Sequence, residues 1–117
     1  MEKYFDSFGD REDVASQFQV GTGNRWSSDF VVAEDFPTDA EILFAAYGQE
    51  GYDGAALVVY ERDGKLYEVN GSHCSCYGLE DQWQPEETSK AALAIRYLSG
   101  NFSEAAITRF QELFPRD

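Results

Sequence analysis

The segment from Leu66 to Trp83 holds the chain's single histidine, His73, both of its cysteines, Cys74 and Cys76, and Trp83, one of its two tryptophans. An imidazole and two thiolates form a soft donor set of the kind that holds zinc. Adjacent His and Cys side chains point to opposite faces of an extended segment, so a tight turn is needed to converge all three. A fourth ligand would have to come from a carboxylate such as Glu80 or from a partner chain, and the familiar spacing of two ligand pairs is missing. Covalent catalysis fits less well. His73 is the only imidazole that can act as base for a cysteine nucleophile, yet a sequence neighbour rarely presents its ring to the adjacent sulfur. With no Gly-rich oxyanion turn, a non-enzymatic role is expected. The third reading is packing: reduced cysteines buried as small hydrophobes where a strand leaves a sheet, with Trp83 pinning the loop to the C-terminal helices. This reading is preferred. It implies no cofactor, with zinc on His73, Cys74 and Cys76 as the alternative.

The elements that must hold this segment are legible around it. Asp63-Gly64 lies between two β-rich runs, Ala55–Tyr60 and Lys65–Asn70, and marks a hairpin. Residues 10 to 20 are predicted helical: Val14 and Phe18 are spaced i, i+4, Asp10 can cap, and Gly21-Thr22-Gly23 stops the run. That glycine pair lacks the spacing of a nucleotide-binding fingerprint. Phe30-Val31-Val32 is a plausible strand. Residues 39–47 carry both a capping box (Thr38 to Glu41) and a short apolar run; the run favours a buried strand. Pro85-Glu86-Glu87 suits a first helical turn, followed by an apolar stripe of Ala91, Ala94, Ile95 and Leu98. Ser103 is expected to cap a second helix that buries Ala106, Ile107, Phe110, Leu113 and Phe114. The expected fold is one α+β domain spanning 1–117: an N-terminal helix, an antiparallel sheet of three to four strands, and a C-terminal helical hairpin.

Charge adds a different constraint. The 117 residues carry 22 acids and 9 bases, a formal net charge of −13, while 43% are hydrophobic, too many for a disordered acidic chain. No basic residue falls between Arg25 and Arg62 or between Lys65 and Lys90, and acids fill both intervals. The last 28 residues are near neutral, with Lys90, Arg96, Arg109 and Arg116 against Glu104, Glu112 and Asp117. Direct nucleic-acid binding is disfavoured, because phosphates need a basic face. No apolar run approaches the roughly 20 residues of a membrane span, and the acidic N-terminus is unlike a signal peptide. A cytoplasmic setting with reduced thiols is expected.

The run from Ala45 to Thr88, with Ala45-Ala46-Tyr47-Gly48, Tyr52-Asp53-Gly54, Asp63-Gly64-Lys65-Leu66-Tyr67-Glu68-Val69 and, most specifically, Ser72-His73-Cys74-Ser75-Cys76-Tyr77-Gly78-Leu79-Glu80, Gln82-Trp83 and Pro85-Glu86-Glu87-Thr88, resembles a family of small acidic bacteriophage and prophage proteins of unsettled function. The resemblance spans a little over a third of the chain and implies a phage origin rather than an activity. Dense carboxylates without interspersed bases suit competition for a nucleic-acid groove. The functional expectation is an acidic inhibitor that binds a basic, nucleic-acid-handling or defence protein of the host, partly by nucleic-acid mimicry. Its expected surface comprises Asp35, Asp39, Glu41, Glu50, Asp53, Glu80, Asp81, Glu86 and Glu87, with Trp83 as anchor. A plain interaction domain, self-associating through its aromatics, is the other alternative.

Overall fold

The computed structural model describes residues 3–6, 8–21, 30–32, 36, 40–50, 53–73, 82–95 and 102–115. Along the chain these form β1 (Tyr4–Asp6), α1 (Arg11–Gln17), β2 (Gln19–Gly21), β3 (Phe30–Val32), β4 (Glu41–Glu50), β5 (Asp53–Arg62), β6 (Lys65–His73), β7 (Glu86–Thr88), α2 (Lys90–Ala94) and α3 (Glu104–Leu113). The main sheet has the order β1-β4-β5-β6-β7, and β2 pairs with β3 in a separate two-stranded ribbon. The fold is α+β, as the mixture of periodicities implies.

The run at 39–47 is strand: β4 pairs antiparallel with β5 from Glu41↔Glu61 to Glu50↔Asp53. It reads as a continuous apolar stretch because both faces of the sheet are covered. A bulge between Ile42 and Phe44 switches the facing of the strand. Ile42, Ala45 and Tyr47 join Ala56, Val58, Tyr60 and Val69 on one face, under Phe8, Val14, Phe18, Phe36 and Trp83. Phe44 and Ala46 join Phe5, Leu57 and Val59 on the other, under Leu93, Phe102, Ala106, Phe110 and Phe114. Aromatic contacts knit the second face, with Phe44 5.5 Å from Phe5 and 5.3 Å from Phe110 between ring centroids.

Of residues 10 to 20, expected to be helical, Arg11–Gln17 form α1, whereas Gln19–Gly21 are strand. Other expectations are corrected. β1 precedes α1 and pairs parallel with β4, so the sheet is mixed rather than antiparallel. Its five strands exceed the three to four expected. Glu86–Thr88 form an edge strand on β6 rather than a first helical turn; the backbone groups of Leu66–Glu68 supply a pairing partner that outweighs the local Pro-Glu-Glu preference. The helix that follows, α2, is only five residues long and buries Leu93, while Ala91 and Ile95 are exposed. The expected stripe is therefore rotated, and Leu98 lies outside the described residues. No helical hairpin is established among the described residues.

Local signals did set the ends of several elements. The Asp10 side chain accepts from the Asp13 amide at 2.8 Å, and the Asp13 carboxylate accepts from the Gly9 amide at 2.8 Å, a reciprocal cap on α1. Ser103 caps α3 by accepting from the Ala106 amide. Asp6, in the left-handed region at φ 62°, places its carboxylate 3.3 Å from the Ser103 amide and ties β1 to the start of α3.

The β5–β6 turn has Asp63 at φ 54° and Gly64 at φ 79°, the two positive values of a type I′ hairpin. A Cβ on Gly64 would meet no atom within 4 Å, so only backbone strain opposes a side chain there. Gly64→Ala is expected to lower stability by about 1–2 kcal/mol, seen as a lower urea midpoint at unchanged slope. A variant as stable as the parent would mean that the turn does not hold this conformation in solution.

Candidate functional site

The register fixed by the β5–β6 hairpin decides where the acids go. Arg62 pairs with Lys65, Glu61 with Leu66 and Val59 with Glu68. On one side of this ladder Glu41 lies directly opposite Glu61, and on the other Glu86 lies opposite Glu68. Alternation along the strands sends all four to the face that carries Leu66 and Val59, the α3 side of the sheet. From β4 to β7 the two pairs cross about 14 Å, at about 4.8 Å per strand, and the Glu68–Glu86 pair is offset two residues along the strands from Glu41–Glu61. Glu41, Glu61 and Glu86 are exposed and Glu68 is half-buried.

Like charges directly opposite each other on a sheet are destabilising. At this end Lys3 Nζ lies 3.5 Å from Glu41 Oε1, with the glutamate side chain still 64% exposed, and the bases Arg62 and Lys65 pair beside Glu61 at the turn. The Asn70 amide donates to Glu68 Oε1 at 2.9 Å. Glu87 pairs with Tyr67 and therefore belongs to the opposite face, beside Tyr60. Glu61 and Glu68 were not among the acids first assigned to this surface. The hairpin turn was the signal that could have placed Glu68, since a two-residue turn fixes its register. Glu41 opposite Glu61 needs the β4 bulge as well.

Glu50 and Asp53 pair with each other at the far end of the β4–β5 hairpin, about 30 Å along the strand from Glu41 at the usual rise per residue. His73 pairs with Gly54 at that same end. The expected surface is thus divided. Glu41 and Glu86 share one end with Glu61 and Glu68, and Glu50 and Asp53 lie at the other.

Cys74, Cys76, Glu80 and Asp81 fall outside the described residues, as do Asp35 and Asp39. What bounds the His-Cys segment is defined. The Ser72 amide donates to Gln82 Oε1 at 2.8 Å, and Gln82 Nε2 donates to the Ser72 carbonyl at 2.7 Å. A side-chain amide therefore stands in for a strand residue on β6 and closes the segment between His73 and Gln82 at the Glu50–Asp53 end. Among the described residues no cluster of three or more potential metal ligands occurs. Phe36 and Ala40, the sequence neighbours of Asp35 and Asp39, both meet Arg11: its Nη1 donates to the Ala40 carbonyl at 2.9 Å, and its guanidinium lies 5.6 Å from the Phe36 ring centroid.

Trp83 is not an exposed anchor. It is 5% exposed and packs against Phe36, Phe18 and Tyr60 at centroid distances of 4.9, 5.3 and 6.0 Å. It pins the chain to the α1 side of the sheet, not to the C-terminal helices as expected. Its apolar neighbours account for the placement, and its Nε1–H is buried without an acceptor among the described residues. Nearby, burial raises the Tyr4 phenol above its ordinary 10.0, with Arg11 opposing and Asp10 and Glu12 reinforcing the shift. The folded state prefers the protonated phenol, so this contribution to stability is held below pH 10.0 and lost as the pH rises through the raised value.

Comparison with protein-family models, curated proteins and solved structures gives no match. Among the described residues no helix is long and apolar enough to cross a membrane.

A core role for Trp83 makes a graded prediction. Trp83→Ala is expected to cost about 3–5 kcal/mol. Trp83→Phe keeps a ring and removes the unsatisfied donor, and should cost less than about 1.5 kcal/mol. Urea denaturation of the parent and of both variants, followed by far-UV circular dichroism, checks this. Similar small losses for both would place the indole outside the core.

Proposed function

We propose that this protein is an acidic binding module whose partner is a basic protein that handles nucleic acid, engaged partly by presenting carboxylates where phosphates would lie. The observation that carries the reading is the pair of opposed glutamates, Glu41 with Glu61 and Glu68 with Glu86, on one face of the sheet. Solubility alone requires charge on the surface, but it does not require like charges in register across strands, an arrangement that costs stability. A basic groove would relieve that repulsion on binding and gain association rate from the field of a chain at −13. A phage-encoded inhibitor of a host enzyme or defence complex, as the sequence resemblance implies, is one setting in which such a module would act. The surface assigned here is Glu41, Glu61, Glu68 and Glu86, with Glu50 and Asp53 as a separate acidic end.

Pull-down from nuclease-treated bacterial lysate at low and high salt tests the reading. The expected result is recovery of a nucleic-acid-binding protein that is lost at high salt. Glu61→Gln with Glu86→Gln should weaken that recovery while raising the chain's own stability by about 0.2–1 kcal/mol per relieved pair. Lower affinity with lower stability would indicate a structural role for these glutamates. A salt-insensitive capture, or none, would overturn the mimicry reading. Elemental analysis showing near one zinc per chain would then move attention to His73, Cys74 and Cys76.

A further inference from the structure

Asn70 is the one asparagine of three that precedes a glycine, Asn24 being followed by Arg25 and Asn101 by Phe102. Asparagine loses its amide most readily before glycine, where no Cβ hinders the following backbone nitrogen. The Gly71 nitrogen attacks Cγ of Asn70, the new N–C bond displaces Nδ2 as ammonia, and a succinimide closes. Water then opens the ring, giving aspartate when it adds at Cγ and isoaspartate when it adds at the backbone carbonyl. Amide and water become carboxylate and ammonium, and no electron changes hands.

β6 both exposes this pair and restrains it. Asn70 is exposed, so water reaches its side chain. Gly71 pairs with Ala56 of β5. Its neighbour Ser72 turns both backbone groups outward, to the Gln82 side chain, at 2.8 and 2.7 Å. Alternation therefore points the Gly71 N–H the other way, at β5, where the ladder holds it. Attack needs that nitrogen released and the Asn70 backbone swung out of its extended form. The leaving group is held as well, because Asn70 Nδ2 donates to Glu68 Oε1 at 2.9 Å.

Little secures the outer edge at this end of β6. β7 pairs with Leu66, Tyr67 and Glu68 and ends there. Farther along, the Gln82 side chain clasps Ser72 with its two hydrogen bonds. A strand end held in this way opens at a lower free energy than the whole domain unfolds.

We propose that Asn70 is a site of spontaneous deamidation through Gly71, and that the Gln82 clasp on Ser72 sets its rate in the folded protein. Asn70 and Glu68 lie on the same face of β6, so conversion exchanges a donor to Glu68 for a second carboxylate. The isoaspartyl product also lengthens the backbone within β6 and breaks its register with β5. The modification thus adds charge to the acidic side of the sheet and weakens the strand that carries it. It is independent of the proposed partner, since the chemistry needs only water.

Peptide mapping by mass spectrometry, after incubation of the full chain at mildly alkaline pH with and without denaturant, tests the site. Asn70 is expected to convert in denaturant and to convert about tenfold or more slowly in the folded chain. Gln82→Ala should raise the native rate severalfold and leave the denatured rate unchanged. Gln82→Glu keeps the acceptor for the Ser72 amide and loses the donor to the Ser72 carbonyl, so its native rate should fall between. It carries the test if circular dichroism shows that Gln82→Ala does not fold. Asn70→Asp, which bears the charge of the product, should have a lower urea midpoint than the parent. No conversion of Asn70 in denaturant overturns the site, and equal rates in both states overturn its protection by the fold. A native rate indifferent to both Gln82 substitutions overturns the role of the clasp.

Discussion

β4 and β5 carry apolar side chains toward both sides of the sheet, and neither side can be left to water. Ala56, Val58 and Tyr60 face one layer while Leu57 and Val59 face the other, all buried. A two-sided apolar strand needs a cover on each face, and the chain supplies both from short elements. α1, Phe36 and Trp83 close one side; α3, Phe102 and Leu93 close the other. None of these covers is long enough to be stable alone, so each depends on the strand pair for its place. The bulge at Leu43 serves the same constraint, since it lets Ile42 and Phe44 fall on opposite layers next to the end of the strand.

That constraint also explains the position of the acids. Once the middles of β4 and β5 are committed to burial on both faces, the charged residues of those two strands are confined to their ends. The ends of β4 and β5 coincide, so their acids pair with each other: Glu41 with Glu61 at one end, Glu50 with Asp53 at the other. β7 repeats the pattern by setting Glu86 against Glu68. An edge strand rich in glutamate also resists pairing with a further strand, which protects the open side of the sheet. The acidic surface and the guarded edge are two consequences of one arrangement.

The C-terminal quarter is built on a different balance. α3 buries its aromatic side firmly, with Phe110 between Phe44 and Phe114. α2 holds on through Leu93 and leaves much of its surface exposed.

Local chemistry determined a good deal. Asp63-Gly64 fixed the β5–β6 hairpin, because few dipeptides reach two positive φ values cheaply, and Asp10 and Ser103 capped the helices they precede, because their side chains satisfy amides close in sequence. The α+β class and the buried strand at 42–47 were likewise readable from the apolar run and periodicity. What needed the tertiary structure were outcomes in which a distant partner outweighed a local preference. Pro85-Glu86-Glu87 has a helix-start composition, yet the open edge of β6 drew residues 86–88 into a strand. Trp83 has the look of a surface anchor in an acidic stretch, but a pocket between Phe18, Phe36 and Tyr60, assembled from three separate segments, took the ring inward. The opposition of Glu41 to Glu61 required both a turn and a bulge to be known. Sequence determines what each segment can form by itself; which of those options is realised depends on the surface that another segment leaves unpaired.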